Sequence, residues 1–456
     1  MAWMSARHAE VCSGGIMKTR LVNVWEEVHA SFWFVPGVLV LLATGLAIGM
    51  MRLDRAVDVG FFGVLYTGGA DGAREILSTI AGSMITVAGV AFSITIVALT
   101  LASSQYGPHL LRSFMRDTGN QVVLGTFVAT FIYCVLVLRS IHESGGQEFV
   151  PRLSLFCAIA LAFFNVGIFI YFIHHVSTSI QADHVIASVY RDLFGQMKRA
   201  FPEARAAGEE DEGRRRDEKD RYALSEQIAA TESGYLQAID GGTLMKIARE
   251  NDLVIHVGYR PGQYVVAGSA LVTVRYNERP AEETTRRIAR CFIVGRQRTP
   301  EQDPEHSIRQ LVEVAIRALS PGINDPFTAM TSVDRLASAL CFLAGRRFPT
   351  RYGYDEEGRL RVVAEQVTFA GMTNAAYDQI RQYGRHSVSV TIRLLEALER
   401  VAEQTVDAEQ RQAVRRQAAM IERASREAVP EEHDRRDVRQ RYEAVFEELM
   451  RRRDGG

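Results

Sequence analysis

Four stretches without a charged side chain, all ending before residue 175, constrain this chain more than any other feature. Between His29 and Arg52 lie 22 uncharged residues, between Glu75 and His109 33, between Asp117 and Arg139 21, and between Arg152 and His174 another 21. A helix that crosses the hydrocarbon of a bilayer needs about 20 apolar residues. Its backbone groups must also be bonded within the segment, which a helix achieves. Each stretch therefore predicts a spanning helix, near 31–51, 78–103, 119–138 and 153–173.

The charge distribution separates two solvents. Residues 1–180 hold 10 Lys+Arg and 10 Asp+Glu, about one side chain in nine; the other 43 and 44 fall among the last 276 residues, nearly one in three. That division predicts an α-helical integral membrane bundle of four transmembrane helices, followed by a mixed α/β cytosolic domain with a helical C-terminus. The expected boundaries are an N-terminal cytoplasmic segment at 1–30, a transmembrane domain at 31–173, an α/β domain at 174–400 and a charged helical extension at 401–456. The net charge of −1 leaves no global footprint for a nucleic-acid partner.

Four spans put both termini on one side. Arg7, Lys18, Arg20, Arg112, Arg116, Arg191, Lys198, Arg199 and Arg205 flank that side; Arg52, Arg55, Arg74, Arg139 and Arg152 flank the other. Nine against five predicts cytoplasmic termini in a bacterial inner membrane. Cys12, Cys134, Cys157, Cys291 and Cys341 show no disulfide or C-x-x-C spacing, in keeping with a reducing compartment. The first span is too long for a cleaved signal peptide and lacks an A-x-A-like site, so it reads as a signal anchor. Met17 is a candidate start, since nothing in residues 1–16 carries a structural signal.

The second span is unlike an ordinary lipid-facing helix. Thr79, Thr86, Ser93 and Thr100 recur every seven residues; Gly82, Gly89, Ile96 and Ser103 repeat at the same spacing, offset by three. Together they form a seam of small and weakly polar side chains. Such a seam either packs two helices closely, with hydroxyls bonding across the contact, or lines a hydrated path. No Asp, Glu, Lys or Arg lies inside any span, which argues against a proton relay or charge-coupled carrier but not against a passive path. In the third span Thr126, Thr130 and Tyr133 fall at helical spacing, positioned to face that seam. HLLRSFMRD, after Gly107-Pro108, suits a short interfacial helix. FFGVLY in the loop at 52–75 is too short to span. His174, His175 and His184 lack ligand spacing and read as interfacial histidines rather than a metal site.

In the second half, 205–221 is a mixed-charge loop without apolar periodicity. Strands are expected at Leu253–Tyr259, Tyr264–Val266, Ala270–Tyr276 and 291–295. RPGQYVVAGSALVTV is similar to half of a biotinyl- or lipoyl-type barrel, but Lys246 precedes these strands instead of sitting in their hairpin, so a packing or ligand-contact module is the preferred reading. Asp303-Pro304 and Asp325-Pro326 each set an N-cap before a proline at the first helical position, predicting an αα-hairpin closed by Ser320-Pro321-Gly322. Its polar residues are Arg298, Gln302, Asp303, Gln310, Arg317, Asn324 and Asp325. They either cap and brace the hairpin or form a cytosolic ligand site suited to an anion. Asp407 and Gln410 open a further helix ended by Pro430, and a last charged helix is expected at 434–451.

RTPEQDPEHSIRQLVEVAIRALSPGINDPFTAM, GSMITVAGVAFSITIVALTLASSQYGPHLLRSFMRD and GNQVVLGTFVATFIYCVLVLRSI strongly resemble a family of bacterial predicted membrane proteins, domain of unknown function 2254. The resemblance runs from Val24 to about Leu395, SGYLQAID and the RPG–AGS hairpin included, and leaves the helices after 400 peripheral to it. It implies an integral membrane protein and supplies no reaction, ligand or catalytic residue. No G-x-x-x-x-G-K-[ST], G-x-S-x-G, H-E-x-x-H or C-x-x-C occurs, so neither an enzyme nor a bound cofactor is expected. Two functions stay open: a homo-oligomeric channel or passive path modulated by the cytosolic domain, and a non-conducting sensor or scaffold.

Overall fold

The computed structural model describes residues 33–56, 69–107, 117–144, 147–201, 222–346 and 348–454. The expected N-terminal segment, the interfacial helix after Gly107-Pro108, the FFGVLY segment and the 205–221 loop lie outside them. The described chain divides into two compact units, one ending at Val185 and one beginning at Ile186.

The first unit is built from α1 (Phe34–Ala56), α2 (Ala70–Tyr106), α3 (Thr118–Ser140), a short antiparallel hairpin of β1 (His142–Ser144) and β2 (Gln147–Phe149), and α4 (Arg152–Ser179). Helix α3 is central and packs against the other three. Small residues allow this: α2 turns Ala70, Ala73, Ala81, Ala88, Ala91 and Ala102 inward. At Gly125 of α3 an added Cβ would stand 2.9 Å from the Pro36 backbone, so only glycine lets α1 come this close. Without a hydrophobic drive between helices in lipid, such close approach and buried hydrogen bonds hold the bundle.

Polar contacts pin the helix ends in an up-down-up-down arrangement. At one end the carboxylate of Asp54 accepts from the backbone N–H groups of Leu153 (2.8 Å) and Ser154 (3.0 Å) and from the Ser154 hydroxyl (2.6 Å). Nearby, Arg74 donates to the carbonyl of Ile141. At the other end Tyr106 donates to the Ile180 carbonyl at 2.9 Å, and Asp117 hydrogen-bonds His175 at 2.7 Å while accepting from Gly119 N–H. Midway, the buried Asn165 of α4 donates to Thr130 of α3 at 2.7 Å. Tyr133 donates to the Ser154 carbonyl. Thr130 and Tyr133 therefore serve the α3–α4 contact, and Thr126 bonds its own helix at Val122. None of the three bonds the seam of α2, contrary to their spacing: Tyr133 shares a buried cluster with Ala73, Leu77 and Ala81 of α2, while the seam residues from Thr79 to Thr100 are exposed.

Each of α1 to α4 is long and apolar enough to cross a membrane. The helices run past the uncharged stretches, because a helix that leaves hydrocarbon goes on through charged residues such as Arg52, Asp71 and Arg74. At 1.5 Å per residue the 37 residues of α2 reach about 55 Å, well beyond the hydrocarbon.

From Ile186 onward the chain is mixed α/β, then helical, in the order its composition implied. Helix α5 (Ala182–Ala200) leads in. The α/β part contains β3 (Leu224–Ala229), β4 (Gly234–Ile239), α6 (Gly241–Glu250), β5 (Val254–Val257), β6 (Tyr264–Val265), β7 (Ala270–Tyr276), α7 (Glu282–Arg290), β8 (Phe292–Gly295), α8 (Pro304–Ala318), α9 (Pro326–Ala344), β9 (Tyr352–Tyr354) and β10 (Leu360–Ala364). One sheet has the order β3-β7-β5-β10-β9, antiparallel except for the β5–β10 pair, where Ile255 lies opposite Val362. The other, β6-β4-β8, is antiparallel. Leu236, Leu244, Ile247, Ile255, Val272 and Val362 belong to their shared core.

The RPG–AGS segment is therefore no half-barrel: β5 and β7 belong to one sheet and β6 to the other, and Lys246 sits on α6. Sequence alternation marks strands but not their partners. On β10 itself, Arg361 is almost wholly buried. It donates to Asp355 (2.7 Å), Asp252 (2.6 Å) and Tyr222 (3.3 Å). A buried guanidinium is tolerable only with such partners.

The helical layer is completed by α10 (Phe369–Gly384), α11 (Val388–Ala402), α12 (Ala408–Ala428) and α13 (Glu432–Asp454). Helix α8 packs on α9 and α10, α9 on α11, α12 on α10, and α13 on α11. Asp407 accepts from Gln410 N–H at 2.7 Å, and the Gln410 side chain accepts in return from Val406 N–H. Val414, Ile421, Val438 and Val445 are buried, so α12 and α13 contribute to the layer's core.

Candidate functional site

Two sets of residues are the candidates: the seam of α2 and the polar residues of the α8–α9 hairpin. On α2 the inward alanines and the seam are on different sides of the helix. Thr79, Gly82, Thr86, Gly89, Ser93 and Thr100 are exposed, and Ser103 is half-buried. A Cβ at Gly82 or Gly89 would meet nothing within 4 Å. The hydroxyls bond back along their own helix: Thr86 to Gly82 carbonyl at 2.8 Å, Ser93 to Gly89 at 2.9 Å, Thr100 to Ile96 at 2.9 Å. This i−4 bond uses the hydroxyl proton and leaves the oxygen lone pairs facing outward. Other outward surfaces of the unit are bulky, with Leu41 and Leu42 on α1 and Phe163, Phe164 and Ile170 on α4. The seam is thus a stripe of small, acceptor-bearing residues on the outside of an otherwise lipid-like surface.

The hairpin residues do not converge on one point. Arg298, Gln302 and Asp303 precede α8; Gln310 and Arg317 lie along it; Asn324 and Asp325 are at the turn after its far end. Asp325 caps α9, accepting from Phe327 N–H (3.1 Å), Thr328 N–H (3.2 Å) and the Thr328 hydroxyl. Asn324 takes a positive φ of 53° to make the tight turn, and Asp325 N–H reaches the Ala318 carbonyl at 2.7 Å. Arg317 pairs with Glu313 one turn back. Gln310 is half-buried. Gln302 accepts from and donates to the backbone of Ile239, extending the edge of β4.

Asp303 departs from expectation. It precedes α8 but makes no side-chain cap; its carboxylate is buried and receives Arg298 through Nε (2.8 Å) and an Nη. The RPG turn lies directly on this pair: Gly262, at φ +90°, has no room for a Cβ against Asp303 and Arg298. The other oxygen of Asp303, Oδ1, is buried without a hydrogen bond. Burial pushes the Asp303 carboxyl above the usual carboxylate range against the pull of Arg298.

Beside it, Glu305 is also buried, and its two oxygens meet Arg260 of the RPG turn (2.7 Å) and Arg309 (3.2 Å). Glu305 and Arg260 were not singled out from sequence. An acidic residue in a first helical turn is ordinary dipole chemistry, and nothing in the chain order says that a turn some 45 residues upstream arrives there.

The family model for "Predicted membrane protein (DUF2254)" matches residues 29–400. Uncharacterized proteins of Mycobacterium bovis and Mycobacterium tuberculosis are each 32% identical over 436 residues, covering 94% of this chain and 82% of theirs. No solved structure matches the chain. The apolar helices, the seam phrase and the QDPE–SPGINDP hairpin all fall inside the matched range, and the chain belongs to this family of predicted membrane proteins.

Proposed function

We propose that this protein is a four-span inner-membrane protein with cytoplasmic termini, that it assembles with copies of itself, and that the α2 seams of those copies line a passive path modulated by the α/β unit. The observation that carries this is the outward position of the seam. Lipid gains nothing from a stripe of glycines and hydroxyls, whereas a second copy of α2 can approach it closely. A path lined by the seam then lies between copies, because the seam does not face the interior of one protomer's bundle. Its hydroxyls already donate to their own helix, so the wall offers oxygen acceptors, which favours a cation over an anion. In this reading the protein carries out no covalent chemistry.

Four spans are preferred to five, although α9 is also long and apolar enough to cross. Asp334 and Arg335 interrupt α9, and Val333, Leu336, Leu340 and Leu343 are buried where it packs on α8 and α11. That is the pattern of a core helix in a water-soluble layer.

Purified protein in liposomes should pass a monovalent cation. Thr86→Leu or Ser93→Leu should reduce the flux while the protein still folds, because α2 can span with either residue. Cysteines at positions 79, 86, 93 and 100 should react with water-soluble thiol reagents, while positions on the alanine face stay protected. Uniform protection of the seam in a conducting protein would sink the path.

The back-bonded hydroxyls also suit a seam that only packs, which is the basis of a second reading, a non-conducting sensor or scaffold. There the same leucines would force helices apart and lower oligomer stability. Ligand-dependent stabilisation without any flux would favour this reading.

A further inference from the structure

A cleft of about 320 Å³ lies between the RPG turn, the first half of α8 and one side of α10. It is within the size range of small-molecule sites. Its walls carry opposite charge. On one side Arg260 and Arg309 flank the buried Glu305, which holds the two guanidiniums at a fixed separation. Each guanidinium has five donors, and one contact to Glu305 leaves others able to donate to a ligand. On the other side stand Asn374 and Asp378, one turn apart on α10; the Arg381 guanidinium lies 3.8 Å from Asp378 Oδ1, which leaves Asp378 Oδ2 for a ligand's ammonium.

That second wall is set from behind by α12. Gln417, wholly buried, donates to Asn374 Oδ1 (2.8 Å) and Asp378 Oδ1 (2.9 Å), and Arg416 adds a bond to Asn374. The Oε1 of Gln417 has no hydrogen-bond partner. A buried orphan acceptor costs stability; the amide nitrogen of Gln417 meanwhile holds Asn374 and Asp378 in place on α10.

We propose that this cleft binds a small zwitterion of the α-amino-carboxylate type. Its carboxylate meets Arg260 and Arg309, for which planar two-donor forks are suited, and its ammonium meets Asp378. Val312, Gly371, Ala375 and Gln379 complete the lining, and the small Gly371 and Ala375 leave space for a short side chain. The proposal does not depend on conduction, and its test requires no flux.

The test uses the full chain in detergent, with each of the proteinogenic amino acids at millimolar concentration, followed by thermal unfolding and titration calorimetry. Acetate, inorganic phosphate and ethylamine serve as single-charge probes. At least one amino acid should raise the melting temperature by about 3 °C or more at saturation, with each single-charge probe binding far more weakly. Arg309→Gln leaves Arg260 on Glu305, and Asp378→Asn keeps an oxygen for Gln417, so both should fold. Each should weaken binding about tenfold or more. Ala375→Leu, which fills the cleft without changing charge, should abolish binding and covers the case in which a charge variant misfolds. The proposal is overturned if no amino acid binds, if acetate or phosphate binds as well as any amino acid, or if binding survives Ala375→Leu.

Discussion

Gly262 shows how one residue joins distant parts of the chain. Its φ of +90° is strained for any L side chain, and its missing Cβ is the space taken by Asp303 and Arg298. Gly268 has a similar φ, +84°, but open space around it. Gly268→Ala should therefore cost only the backbone strain, about 1 kcal/mol. Gly262→Ala should cost that plus the displaced ion pair, about 3 kcal/mol or more, read as a larger fall in melting temperature of the detergent-solubilised protein. Ionisation gives a second prediction. Burial opposes the charge on Asp355, yet the Arg361 guanidinium and backbone N–H groups hold its carboxyl below the usual range. With the folded value below the unfolded one, this stabilisation is full above the ordinary carboxylate pKa and is lost as pH falls through the lower folded value. For Asp303, raised by burial, the sign reverses: the folded chain binds the proton more tightly, so its contribution improves as pH falls toward the ordinary value. Melting curves from neutral to acid pH should show Asp355→Asn less stable at neutral pH and less sensitive to acid than the parent.

At the scale of elements, the end of α1 caps the start of α4. Asp54 occupies the N-cap role for a helix that begins 98 residues later, satisfying two backbone N–H groups and a serine hydroxyl. Pro151, the residue actually preceding α4, has no side chain able to do so. Asp54→Ala should cost about 1–2 kcal/mol, measured as earlier thermal or detergent unfolding, and Asp54→Asn should recover part of it. Caps supplied from within an element's own sequence were legible: Asp325 and Asp407 cap as their positions implied. Asp303 has the same Asp-Pro signature but turns its carboxylate to Arg298. A guanidinium is a stronger claimant for a buried carboxylate than a helix N–H, and the sequence does not say where Arg298 will be.

For the whole molecule, the C-terminal helices lie beyond the residues the family model matches, yet α13 packs on α11 and α12 on α10. A chain ending after Thr405 would strip α12 and α13 from α10 and α11, helices whose buried residues include Ile380, Leu394, Leu398 and Val401. It should therefore aggregate or be degraded, where loss of a peripheral appendage would leave expression and the melting temperature unchanged. Reporter fusions after residues 65, 112, 145 and 200 give the corresponding test of topology. Those after 112 and 200 should report cytoplasm, and those after 65 and 145 the opposite side; an external signal at 200 would reject the orientation.

Sequence by itself determined the existence of four long apolar helices and the charged, mixed α/β half that follows, because hydrophobic run length and charge density are local quantities. It also determined the heptad seam as a pattern of residue types. The side on which that seam faces was decided only by tertiary structure: α2 offers α3 and α4 its alanines, which pack more closely, and leaves the threonines and serines outside. The same holds for Asp54 on α4, Asn165 on Thr130, and Arg260 on Glu305. Each joins groups far enough apart in the chain, or turned by enough of the fold, that neither partner marks the other. Spacing along a helix fixes which residues share a face; the fold alone decides what that face meets.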